Sequence, residues 1–119
     1  MKLMLITNLY PPQELGGYGR CMADFVWGLR NLGHSVKILC SNAPYLGEIQ
    51  QENEYEINRN LLLKGSFKNG VSHITDLEKR NEIDIHNCKV INKLFINEHF
   101  DGILIGNIDL IEHEILETV

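Results

Sequence analysis

Two adjacent glycines, Gly16 and Gly17, and an arginine three residues on, Arg20, lie between a short apolar run and a helical stripe, where they could together hold an anion. Without Cβ atoms the glycines let a diphosphate come close to the backbone. A helix that begins straight after them offers unpaired N–H groups and a partial positive charge, and Arg20 in its first turn adds a fixed one. A plainer reading stands beside this one: the glycines let the chain reverse after Pro11-Pro12, and Arg20 is a solvated helix residue. The spacing is not G-x-G-x-x-G, and no Gly-Lys-Ser/Thr follows as in a P-loop, so neither a dinucleotide nor a magnesium-bound triphosphate is indicated.

Other residues with chemical potential point elsewhere. Glu48, Glu52, Glu54 and Glu56 share no helix face and read as a solvated loop. The three cysteines, Cys21, Cys40 and Cys88, are odd in number, far apart and set among apolar residues, as reduced core thiols are. They indicate no disulfide and no metal site. Tyr10 could pack over a sugar; Tyr18, on an apolar stripe, reads as core. His34 sits just past a helix stop and reads as structural, facing the negative end of the helix dipole.

The elements that must position these residues follow from periodicity. Leu3 to Ile6 has the length and bounded edges of a buried strand, and Asn8 to Gly17 is a long, turn-rich loop of the kind that carries function. Tyr18, Cys21, Met22, Phe25, Val26, Leu29 and Leu32 recur at helical spacing, Gly33 ends that helix, and Val36 to Cys40 is a second strand. This is one βαβ unit. A third strand is expected around Tyr55 to Leu63, on the alternation Tyr55, Ile57, Arg59, followed by a turn region from Lys64 to Gly70. A helix is expected between Thr75 and His99, opened by the capping box Thr75 to Glu78, with a stripe of Ile74, Leu77, Asp84, Cys88, Ile91, Leu94 and Phe95. Ile103 to Ile105 reads as a fourth buried strand, and Asp109 to Glu112 as the capping box of a further helix.

The run Leu5-Ile6-Thr7-Asn8-Leu9-Tyr10-Pro11-Pro12, then Gly16-Gly17, a helix of this length and Leu32-Gly33-His34-Ser35-Val36 resembles the opening of GT-B glycosyltransferases, specifically the large retaining family (family 4 type) that includes sucrose and mannosyl transferases. The resemblance covers about the first third of the chain. It implies an α/β fold, a Rossmann-like three-layer αβα domain with a parallel sheet over residues 1–119, forming the truncated N-terminal, acceptor-side half of such an enzyme. In that family the glycine loop faces the cleft between two domains, beside the diphosphate of a nucleotide sugar, and Gly16 and Gly17 match it. The resemblance further implies a nucleotide-sugar donor, a carbohydrate or lipid-linked acceptor, and no metal or other cofactor.

Relatives often place a histidine near the end of the fourth strand, where this chain has Gly106, Asn107 and Ile108. Asn107 either binds an acceptor hydroxyl in its place or caps the next helix. A further family histidine, the glutamate-bearing motif and the nucleotide pocket would lie beyond Val119, so no catalytic residue is assigned, and the isolated chain is expected to be inactive. The substrate-binding candidates are therefore Gly16, Gly17, Arg20 and Asn107. Two alternatives remain open: a non-catalytic Rossmann-like module binding a nucleotide or sugar phosphate, and a structural or interaction domain.

With 119 residues the chain makes one domain, whereas a two-domain enzyme of this kind needs roughly two to three times that length. A net charge of −5 with scattered basic residues excludes a nucleic-acid stripe, and no apolar run is long enough for a leader or membrane span. A cytoplasmic place, at most peripheral to a membrane, is expected. The expected sheet order is three, two, one, four. That order leaves the Ile103 to Ile105 strand as an open edge, from which self-association of the chain is expected.

Overall fold

The computed structural model describes residues 1–11, 13, 18–43, 57–67 and 71–112, with backbone only at 18 and 19. Four parallel strands form the central sheet: β1 (Lys2–Ile6), β2 (Ser35–Ser41), β3 (Ile57–Leu61) and β6 (Gly102–Ile105), in the order β3-β2-β1-β6. Two helices, α1 (Tyr18–Asn31) and α2 (Leu77–Asn97), flank it, and a small antiparallel pair, β4 (Gly65–Ser66) with β5 (Ser72–His73), lies apart. The strand order and the parallel pairing of Ile103 to Ile105 beside β1 are those expected from sequence.

Alternation along the strands divides the core into two layers. Leu3 and Leu5 of β1 with Val36, Ile38 and Cys40 of β2 face α1, where Val26 is buried and Met22, Ala23 and Leu29 close over them. Met4 and Ile6 with Leu39 face α2, against Ile91, Val90, Leu94 and Phe95. A parallel sheet with helices on both faces buries its central strands on both sides, which is why β1 and most of β2 read as apolar runs, whereas the edge strand β3 carries Asn58, Arg59 and Asn60. The architecture is Rossmann-like.

α1 ends as its sequence dictates. Gly33 adopts φ 94°, a left-handed conformation that costs a residue with a Cβ, and His34 N–H donates to Leu29 O while Gly33 N–H donates to Arg30 O. The buried arc of α1 is narrower than the expected stripe: it centres on Val26, while Cys21, Phe25 and Leu32 are exposed. Of the three cysteines only Cys40 is buried, so the core-thiol reading holds there and fails for exposed Cys21; all are free thiols.

Four other expectations are corrected. The cap of α2 is Asp76, not Thr75: Asp76 has an extended backbone, and its carboxylate accepts the N–H of Glu78. The region from Lys64, read as a turn, instead enters the β4-β5 hairpin, with Lys64 buried behind it. Residues 109–111 form a turn rather than the first turn of a helix, because Leu110 and Glu112 take φ 65° and 67° and no right-handed helix passes through such residues. Leu77, placed on the apolar stripe of α2, is exposed. Asn87, which the stripe omits, is fully buried: its amide accepts from Leu62 N–H at 2.8 Å and donates to Leu62 O at 3.0 Å, extending the sheet edge beyond β3.

Candidate functional site

The C-terminal ends of β1 and β6 lie side by side, and from them the chain departs on opposite faces, toward α1 after β1 and toward the α2 layer after β6. In open α/β sheets such a switch point forms the ligand crevice. Its floor is stitched by backbone. Gly106 N–H donates to Ile6 O at 2.8 Å and Asn8 N–H to Asn107 O at 2.7 Å, while Thr7 N–H reaches Leu39 O at 3.0 Å. The close approach depends on glycine: a Cβ at Gly106 would stand 2.9 Å from Met22 Sδ and 3.0 Å from Thr7 Cβ.

Asn107 sits on this floor, half-buried, beside the start of the loop between β1 and α1. Its Oδ1 accepts the N–H of Asp109 at 2.9 Å, which folds 107–109 into an Asx turn. That is the capping behaviour weighed for it, although the residue holds a turn and not a helix. Its amide NH2 has no partner among the described residues, so its two N–H donors remain for a ligand. Asn8, which sequence reasoning passed over, is buried beside it: Nδ2 donates to Asp109 O at 3.1 Å and Oδ1 accepts from Leu9 N–H at 2.7 Å.

Arg20 is exposed on the first turn of α1, as expected for either reading of it. Gly16 and Gly17 lie outside the described residues, as do the side chain of Tyr18 and the acidic group Glu48, Glu52, Glu54 and Glu56. The fold thus brings Asn107 to the end of β1, from which the loop that bears the glycines departs. Tyr10 is not free to cover a sugar, since it is buried in the α1 layer of the core. His34 keeps its structural place, with Nδ1 3.1 Å from the N-terminal amine of Met1.

The first half of the β1–α1 loop is fixed by two residues that carried no functional signal. Gln13 is fully buried; Nε2 donates to Ser41 O at 3.0 Å and Ala43 O at 2.7 Å, and Oε1 accepts from Tyr10 N–H at 3.2 Å. Arg59, on β3, reaches across the end of β2. Its Nη1 donates to Gln13 Oε1 at 2.9 Å, Tyr10 O at 3.2 Å and Cys40 Sγ at 3.3 Å, and Nη2 to Pro11 O at 2.7 Å. Burial pushes the Cys40 thiol up to about 11 against the opposing pull of Arg59, so at neutral pH it stays protonated and no thiolate forms there.

No family model, curated protein or solved structure matches this chain. Among the described residues there is no cluster of histidine, cysteine or carboxylate groups suited to a metal ion, and no helix long and apolar enough to cross a membrane.

Proposed function

We propose that the chain is the acceptor-side, N-terminal domain of a retaining nucleotide-sugar glycosyltransferase of GT-B type. The observation that carries this reading is the parallel order β3-β2-β1-β6, which sets Asn107 at the end of β6 against the end of β1, where the Asn8 to Gly17 loop begins. In this reading the loop and the N-terminus of α1 face the donor diphosphate and stabilise the charge that develops on it as the sugar leaves. Arg20 adds a positive charge there. The Asn107 amide NH2 donates to an acceptor hydroxyl at the floor of the crevice. The nucleotide-sugar donor is a substrate, and the acceptor is a carbohydrate or is lipid-linked.

The test begins with the gene. A coding sequence that continues past Val119 into a second Rossmann-like domain with a glutamate-bearing motif supports the reading, and its product should transfer sugar from one of a panel of nucleotide sugars with the anomeric configuration retained. A product that binds a nucleotide or sugar phosphate but neither transfers nor hydrolyses the sugar would favour a non-catalytic binding module instead.

A further inference from the structure

Loops that hold a ligand must be pre-organised, and a surface loop of this length is ordinarily the least ordered part of an α/β unit. Here its first half is not left to itself. Gln13 is buried and hydrogen-bonded on both ends of its amide, to the end of β2 through Nε2 and to the loop backbone and Arg59 through Oε1. Arg59 then joins that amide to the carbonyls of Tyr10 and Pro11. A planar fork with donors fixed in direction is what such a junction needs, and the single ammonium of lysine cannot reproduce it.

We propose that Arg59, acting through Gln13, is a positioning residue for the first half of the β1–α1 loop, fixing Tyr10, Pro11 and Gln13 where the chain leaves β1 beside the crevice. This rests on the proposed function for its purpose, but the strut itself is a property of the loop. Arg59 comes from the third strand, so the loop is registered against the far side of the sheet and not only against β1, from which it springs. Without the guanidinium the carbonyls of Tyr10 and Pro11 and Gln13 Oε1 each lose a donor in a partly buried site.

The test is amide hydrogen exchange on the 119-residue chain, read by NMR, with Arg59→Met and Arg59→Lys. Tyr10 N–H and Gln13 N–H, both hydrogen-bonded within the loop, are expected to exchange about tenfold faster in either variant. Leu5 and Val26 should change less than about twofold. Lysine keeps the charge and stem, so its failure to rescue identifies the fork; should the methionine variant not fold, the lysine variant decides alone. Unchanged loop exchange in the folded variants, or the same acceleration at Leu5 and Val26 as at Tyr10 and Gln13, overturns the proposal. A parallel titration with inorganic pyrophosphate, followed at the Gly19 and Arg20 amides, is expected to show a response that weakens about tenfold in both variants. A wild-type chain without any pyrophosphate response overturns the anion-binding role given to the loop and the start of α1 in this chain, while the exchange arm scores the strut by itself.

Discussion

Lys64 carries its charge where water is nearly absent, at 1% exposure, and its ammonium lies 2.6 Å from Asp84 Oδ1 and 3.7 Å from Glu112 Oε2. The Asp84 oxygen makes no well-aligned hydrogen bond, so charge and proximity hold the pair, while Arg80 joins Glu112 from the other side. The partners differ in what they lose when separated. Asp84 and Glu112 are partly exposed and can regain water, but Lys64 cannot. Asp84→Asn is therefore expected to destabilise by about 2–3 kcal/mol, below the range for a fully buried pair, and Lys64→Met by clearly less, since it removes the buried charge itself. Urea unfolding of the two variants checks this, and a methionine variant weaker than the asparagine one would show that Lys64 is better solvated than its burial implies. Arg20 belongs to the same scale but to function. On the proposed glycosyltransferase reading, Arg20→Ala in the full-length protein should raise the donor concentration needed for half-maximal rate by about tenfold, the loss of one charge-assisted bond. Lys2→Ala is the control, because Lys2 lies at the opposite end of β1, ion-paired to Glu98 at 2.5 Å. Equal behaviour of the two variants would leave Arg20 an ordinary surface charge.

At the scale of elements, the four strands of the main sheet and both helices were legible because their signals are local: apolar runs for β1, β2 and β6, alternation for β3, helical spacing for α1, and a glycine for its end. What was not legible depends on partners distant in sequence. Lys64 looks like a turn residue until Asp84 and Glu112 are brought to it; Asn87 looks like a break in a stripe until Leu62 supplies a backbone to bind. Gln13 and Arg59 are 46 residues apart, so neither could point to the other. The turn at 109–112 was misread for the same reason: Lys64 N–H donates to Leu110 O, and contacts of that kind hold a left-handed residue where the capping pattern alone would start a helix. The link between α2 and β6 offers a test by pH. Hydrogen bonds from Lys2 and Lys37 hold the Glu98 carboxyl below the ordinary glutamate range. A carboxylate with a depressed folded-state pKa contributes stability above its unfolded value, about 4.3, and loses that contribution as pH falls through its folded value. Glu98→Gln should thus lower the melting midpoint at pH 7 by about 1–4 °C, the scale of an exposed ion pair. The gap should close below about pH 4. A gap that is constant with pH would mean that Glu98 acts through packing or its backbone.

At the scale of the whole molecule, β6 ends the sheet order, and among the described residues its only strand partner is β1. An edge of this kind presents a row of N–H and C=O groups to any other chain. Its surroundings are apolar on both faces. Ile105 is 42% exposed on the α2 side, while Phe25 (51%) stands one helical turn on from Met22, the α1 side chain that approaches Gly106. Charge gives little protection, since Asp101 is the one ionised side chain between Phe100 and Ile108 and no proline interrupts the strand. The 119-residue chain is therefore expected to self-associate along β6, with mass rising over a concentration series in light scattering. Ile105→Lys places a charge on the edge without entering the buried layers, and should return the chain to a monomer while leaving its melting midpoint within about 2–3 °C, as surface substitutions do. A wild-type monomer at every concentration would show that the edge is shielded. Association that persists in Ile105→Lys but disappears in Phe25→Lys would move the contact from the strand edge to the face of α1.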